Sequence, residues 1–517
     1  MSIPWRAVRT KPGLGRLLAL LGLVLTACTT TPEATPWQPP TPAAGLWPAT
    51  ATAVGPPRPP TRGPATPIFT PTPDPPHAVP TPRTEAETYT VQPGDTLADI
   101  ARRYSLSPAS LQQANGLADP NLLAVGQTLL IPAPTPVGTA PGFKIIPDSE
   151  LVNGPYAAGF DVAAFVRPWG GYLLTYRETV GAEQLTGPAI VQRVAEDYSV
   201  NPRLLLAVLE FQSGWVTQAQ PDPATLAYPL GLRDPARSGL WRQLSWAADR
   251  LNLGFYLWQV NGLAVFLLGD GVQVRVNPQV NAGTAAVQGL FAPLYDRAGW
   301  ERAVGPEGLF ATYRRLFGYP FDWAYEPLLP PDLRQPPLHL PFEPGLTWYF
   351  TGGPHPGWGN GSAWAALDFA PGDVPPGCTV SGYWATAVAD GVVVRSGRGV
   401  VVLDLDGDGW EGTGWTVVYL HLAALERVAA GTRVRAGDPL GHPSCEGGIS
   451  TGTHVHLARK YNGVWIAADQ DLPFVLDGWT SQGTGRAYEG FLVRGDQRRE
   501  ACQCREPRNT LVREDAP

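Results

Sequence analysis

A chain of 517 residues has room for roughly two to four domains, and a net charge of −7 with no basic stripe argues against a nucleic-acid binder. Its 57 prolines and 58 glycines include one proline-dense N-terminal stretch, which points to a modular protein with a disordered linker rather than one large globule.

In residues 1–28, Arg6, Arg9, Lys11 and Arg16 precede the apolar run "LLALLGLVL" (17–25), which "LTAC" follows. The run is too short to span a bilayer, so it reads as the core of an export signal. "LTAC" resembles a bacterial lipobox, which implies a lipidated Cys28, a membrane anchor and an extracytoplasmic location. Residues 29–86 are a Pro, Thr and Ala tract that cannot bury a core. Extended at about 3.1 Å per residue, it would reach about 180 Å from the anchor. His77, at its end, is expected in solvent.

Residues 87–134 form a compact pattern. "YTV" reads as a strand and "PGD" as a turn, and "TLADIARRY" as a helix capped by Thr96. "SPASLQQANG" reads as a second helix closed by Gly116, and "TLLIP" as the last strand. This resembles a LysM domain, a small α+β module that binds N-acetylglucosamine-containing glycans such as peptidoglycan. The resemblance places Gly94, Asp95 and Thr96 in the glycan groove.

Residues 148–335 read as mainly α, with apolar residues at three- and four-residue steps in "GPAIVQRVAEDYSV", "NPRLLLAVLEFQSGW" and "PEGLFATYRRLFG". "NPRLLLAVLEFQSGW" with "VNAGTAAVQ" resembles soluble lytic transglycosylases, which implies a lysozyme-like domain. Their catalytic glutamate would fall at Gln212, whose amide cannot deliver the proton that glycosidic cleavage requires. Glu210 lies about 200° around the helix from that position. The domain is therefore expected to be non-catalytic.

From residue 336 to 500, valine-rich runs separated by Gly and Asp turns indicate an antiparallel all-β domain, with residues 501–517 as a tail. Four of the chain's seven histidines fall in its motifs. "TGGPHPGWGNGSAWAALDFAPGD" supplies His355 and Asp368, "YLHL" supplies His421, and "STGTHVHL" supplies His454 and His456 on alternate positions of one strand face. Two histidines and an aspartate with an open fourth position form the pattern of a catalytic zinc site.

The order resembles the zinc endopeptidases typified by lysostaphin and staphylolysin, which cut peptide bonds in bacterial cell walls. In most lysostaphin-type members the first ligand stands four residues before the aspartate, where this chain has Trp364. The staphylolysin and beta-lytic branch has "GGxH" with the aspartate thirteen residues after the histidine, and His355 and Asp368 fit that spacing. The resemblance implies one zinc held by His355, Asp368 and His456. It makes His454 the general base toward the attacking water and gives His421 the tetrahedral intermediate to stabilise. The reverse assignment of His454 and His421 stays open. His339 and His442 match no ligand position.

"DLDGDGWEG" places Asp404, Asp406 and Asp408 on alternate positions, as in a calcium loop. The twelfth position is Trp415 rather than a bidentate glutamate, so an acidic hairpin turn is the preferred reading and Ca2+ the second. Four cysteines beyond Cys28 allow three pairings, of which Cys378–Cys445 would cross-link the β domain. Cys502 and Cys504 stand too close in sequence for an easy mutual bridge. The whole reads as a membrane-anchored, glycan-targeted wall endopeptidase. The rivals are a non-catalytic peptidoglycan-binding scaffold that recruits other hydrolases, and a protease acting on proteins.

Overall fold

The computed structural model describes residues 77–92 and 95–514. The export signal, Cys28, most of the Pro/Thr tract and Gly94 lie outside the described residues. Among the described residues no helix is long and apolar enough to cross a membrane.

The first module follows its sequence pattern. Strands β1 (Glu87–Thr90) and β2 (Thr128–Ile131) pair antiparallel around helices α1 (Leu97–Arg103) and α2 (Pro108–Ala114). The Thr96 hydroxyl accepts the Asp99 N–H at 3.1 Å, the expected cap. Ile100, Ala101, Leu111, Leu129 and Ile131 make a small closed core.

The middle region is helical, as expected. Helices α3 (Gly187–Tyr198) and α4 (Pro202–Ser213) each begin after a capping residue, Thr186 and Asn201, with proline in the first turn. They pack with α5 (Leu240–Gln259), α6 (Ala282–Phe291) and α7 (Leu309–Phe317). His77 is not in open solvent. Its ring stacks on Trp258 at 4.3 Å and its Nε2 donates to the Trp258 carbonyl, because the tract's end runs along α5.

Glu210 and Gln212 are both occupied structurally. The Glu210 carboxylate accepts the Val216 and Thr217 N–H groups and the Thr217 hydroxyl, and it pairs with Arg315 at 2.7 Å. Gln212 accepts the Tyr295 hydroxyl and donates to the Leu230 carbonyl. Glu210→Ala strips the acceptor from several donors at once, so it is expected to destabilise the chain by about 3 kcal/mol, read as a lower urea midpoint. Incubating peptidoglycan with the native chain is expected to release no new reducing ends.

The C-terminal region is built on a nine-stranded antiparallel sheet, with a separate four-stranded sheet over residues 475–500. Its strands include β3 (Thr347–His355), β4 (Ala366–Pro371), β5 (Gly391–Gly397), β6 (Val400–Asp404) and β7 (Trp415–Leu420). The others are β8 (Arg433–Val434), β9 (Val455–Tyr461) and β10 (Thr510–Val512), in the order β8-β5-β6-β7-β9-β4-β3-β10, with Val464–Trp465 paired off β9. The segment expected as a tail from residue 501 therefore contributes a strand. Thr510–Val512 pairs with Thr347–Tyr349 and closes the sheet's edge, its Leu511 buried in the core.

One sheet face packs Leu367, Phe369, Leu403, Val417, Tyr419 and Leu457 into the β region's own core. The other presents Ala366, Val402, Val418 and Ala458 to the helices, in one continuous core with them. With both faces covered, β4 and β6 are buried at every position.

Candidate metal centre

The sheet order gathers the predicted residues. Leu420 on β7, His456 on β9, Asp368 on β4 and Gly352 on β3 stand directly opposite one another, so their Cβ directions share one face. At Gly352 a Cβ would lie 2.5 Å from Asp368 Oδ2, so glycine makes room for the carboxylate. Register shifts after Phe350 and Gly352 turn the end of β3 and bring His355 to the same place.

His355 Nε2 lies 3.2 Å from Asp368 Oδ1, His456 Nδ1 lies 3.3 Å from it, and the two ring nitrogens are 2.9 Å apart. Donor atoms bound tetrahedrally at about 2.0–2.1 Å from a zinc would stand about 3.3 Å apart. Each imidazole is turned by its outer nitrogen. His355 Nδ1–H donates to the Gly353 carbonyl at 2.7 Å, and His456 Nε2–H donates to the Gly357 carbonyl at 3.0 Å. Carbonyls only accept, so the inner nitrogens carry the lone pairs. Asp368 Oδ1 is buried and makes no hydrogen bond. Two lone pairs and an orphaned carboxylate oxygen aimed at one point fit a cation. The three residues could hold a metal ion.

The electrostatics agree. Burial would raise the Asp368 carboxyl, but His355 and His454 beside it hold it well below the usual range. Burial pushes His355 down, yet the Asp368 charge outweighs it and leaves that imidazole raised. Burial lowers His456 despite the Asp368 carboxylate beside it.

The other two histidines flank the cluster. His454 Nδ1 donates to the Gly452 carbonyl at 2.8 Å, which leaves Nε2 facing Asp368 Oδ1 at 3.6 Å. Its ring lies 4.5 Å from that of His421. His421 takes a left-handed backbone, φ +69°, held by Ser444 bonding to its carbonyl and by its Nδ1 donating to the Glu446 carbonyl. Burial, then His454 and His456, push its pKa down to about 3, so it is a neutral imidazole. The Cys378–Cys445 disulfide, one of the pairings the sequence left open, ties down the residue beside Glu446.

Cys502 and Cys504 are also paired, contrary to expectation. The Asn509 amide donates to both of their carbonyls and curls the segment so that the Cα atoms stand 5.1 Å apart.

Several predicted residues lie elsewhere. Asp95 accepts the Tyr89 hydroxyl and the Gln92 N–H, and Thr96 caps α1, so both shape the loop that the resemblance places at a glycan groove. Asp404, Asp406 and Asp408 do come together. Their oxygens, however, accept the N–H groups of Asp406, Gly407, Asp408, Gly409 and Trp410, as in an acidic hairpin turn, and Ca2+ is not supported. His339 bonds Asp477, and His442 bonds the Tyr383 carbonyl and Glu426, both apart from the cluster.

Tyr488 escaped the sequence reading. Its ring stacks on His355 at 4.2 Å, and its backbone pairs with Gly353 and Pro354. Burial and the nearby Asp368 charge raise its phenol pKa. The only available signal was a lone aromatic in "GRAYEG", a stretch without pattern.

An antiparallel sheet carrying a His–Asp–His cluster, with two further imidazoles beside it, defines a candidate catalytic metal centre of the hydrolytic kind. Comparison with known proteins gives the family of each part. Residues 89–132 match the LysM domain, residues 144–331 match "LasA, N-terminal domain", and residues 379–468 match "Peptidase family M23". The chain thus carries regions that match a LysM domain, a LasA N-terminal domain and an M23 peptidase domain. The lytic-transglycosylase likeness of the middle region finds no support in these matches.

The chain is 30% identical over 295 residues to Protease LasA of Pseudomonas aeruginosa (strain PAO1), covering 52% of this chain and 65% of that protein. It is 27% identical over 214 residues to the beta-lytic metalloendopeptidase of Achromobacter lyticus, covering 40% of this chain and 46% of that protein. A solved structure titled "A Novel M23 Metalloprotease Pseudoalterin from Deep-sea" is 24% identical with a TM-score of 0.28, covering 35% of this chain and 99% of that one. The M23 match begins after His355 and Asp368, so their place in the centre rests on the geometry above.

Proposed function

We propose that the protein is a zinc metalloendopeptidase that hydrolyses peptide bonds of peptidoglycan. In this reading LysM directs it to wall glycan, and lipidated Cys28 anchors it outside the cytoplasm. The observation that carries the proposal is the buried, unpartnered Asp368 Oδ1 set between two lone-pair nitrogens, with His454 Nε2 facing it. Zinc, when bound there, supplies Lewis acidity that polarises a carbonyl and acidifies water.

The chain's own residues supply the rest. His454 keeps its Nδ1 proton on Gly452, so Nε2 is free to take the proton of the attacking water. His421, neutral and with its Nδ1 proton on the Glu446 carbonyl, keeps Nε2 free in a ring 4.5 Å from that of His454. Tyr488 covers His355 and keeps the ring from swinging out of the cluster.

The test is digestion of purified cell walls by the full chain, with and without a zinc chelator, scoring new free amino groups. The isolated β region is a poor reagent, since removing the helices would expose Val402, Val418, Ala458 and Trp465. Chelator-sensitive release is expected, and product masses identify the bond. Absence of release with zinc bound would favour the scaffold reading, or a protein substrate if casein-like chains were cut instead.

A further inference from the structure

The two ligands on β3 and β4 are joined by the loop 356–365, and this loop does not stand alone. Its Gly357 carbonyl accepts the outer N–H of His456, so the loop touches all three ligands: it joins two and orients the third. Its own closure is slight, with Gly357 N–H on the Ala363 carbonyl and Trp358 N–H on the Ser362 hydroxyl. The principal anchor comes from the helical domain. Asp249, on α5, accepts the Asn360 N–H at 2.7 Å and the Gly361 N–H at 2.8 Å on the same Oδ1.

The fit is close enough to require glycine at three places. A Cβ at Gly361 would collide with the Asp249 carbonyl oxygen. One at Gly359, where φ is +64°, would lie 2.6 Å from Asp249 Oδ1 and 2.9 Å from the Tyr198 ring. One at Gly357 would lie 2.6 Å from the Trp465 ring. That residue is itself held by the helices, since the Tyr256 hydroxyl accepts the Trp465 backbone N–H at 2.9 Å and Trp465 Nε1 donates to the Tyr198 carbonyl. The loop is thus gripped between α3, α5 and Trp465.

From this geometry we infer that Asp249 is a positioning residue of the metal centre: the helical domain sets the ligand geometry by holding the 357–361 loop, through which it fixes the His456 ring. The inference rests on the metal-centre reading above. The Gly357 carbonyl is the direct partner of the His456 ring, and losing the orientation that such a partner gives typically changes metal affinity about 10- to 100-fold. Asp249 is half-buried and touches no ligand directly, so a role confined to domain packing would lower stability and leave affinity unchanged.

The test compares the full native chain with Asp249→Ala and Asp249→Asn. The readouts are zinc affinity by chelator competition and the visible spectrum of the Co2+-loaded protein. Asp249→Ala is expected to weaken zinc about 10- to 100-fold and to shift the Co2+ bands, whereas Asp249→Asn, which keeps the Oδ1 acceptor, is expected to stay within about threefold of the native chain. Native affinity and spectrum in folded Asp249→Ala would overturn the inference, leaving the metal-centre reading intact. Failure of the native chain itself to bind zinc would instead overturn that reading.

Coupling is reciprocal, so the native chain provides a second arm that needs no variant. Zinc is expected to slow hydrogen exchange at the Asn360 and Gly361 amides. Unchanged exchange there under saturating zinc would count against the inference even if Asp249→Ala did not fold.

Discussion

Replacing His456 with alanine is expected to give a folded chain that retains no zinc and cleaves no wall peptide. The backbone of β9 pairs on both sides, Leu420 opposite position 456 on β7 and Asp368 opposite it on β4, and those pairings do not depend on the imidazole. What is lost is one of three ligand atoms, the one 2.9 Å from His355 Nε2 and 3.3 Å from Asp368 Oδ1. Two donors remain, too few to hold zinc against water and competing chelators.

The effect is measurable without a wall substrate. A ligand that binds only the folded state stabilises it by about 4 kcal/mol at a thousandfold excess over its dissociation constant. Zinc should therefore raise the native Tm by several degrees and leave that of His456→Ala unmoved. His355→Ala should behave alike, since its Nε2 faces the same oxygen at 3.2 Å. A zinc-dependent Tm rise of native size in His456→Ala would remove it from the ligand set.

Much of this centre was legible because β structure converts sequence spacing into spatial direction. The alternate positions of His454 and His456 sufficed to put both rings into one pocket, and strand pairing then supplied Asp368 from a neighbour. His355 was harder. It reaches the cluster only through two register irregularities, which period-2 reasoning does not reveal, and its assignment came from a thirteen-residue spacing known from relatives.

Three features resisted the sequence for physical reasons. Tyr488 sits at φ +69° in a polar stretch, where a contact made by tertiary packing leaves no periodic trace. Thr510–Val512 is a three-residue strand whose pairing with β3 spans most of the β region. The shared core of helices and sheet was hidden by the texture of the strands themselves. Valine runs such as "GVVVLDLD" read as β structure whether one face or both are covered, so the helices' claim on the second face could not be seen.

His454→Ala is expected to separate binding from chemistry: zinc affinity close to native, and a hydrolysis rate lower by about 10²- to 10⁴-fold. Its Nε2 stands 3.6 Å from Asp368 Oδ1, farther than either ligand nitrogen, and the three-ligand group is complete without it. The hydrogen bond from Nδ1 to Gly452 fixes one tautomer and turns the basic nitrogen inward, as a proton acceptor requires. His421 has the same kind of anchor, to Glu446, but burial and the neighbouring imidazoles push its pKa down to about 3, which disfavours it as the proton acceptor. His421→Ala is therefore expected to cost rate while leaving the low-pH limb of the pH–rate profile in place. Comparing the pH–rate profiles of the two variants decides between the roles. If His421→Ala abolishes the low-pH limb and His454→Ala keeps it, the base is His421 and the assignment is reversed.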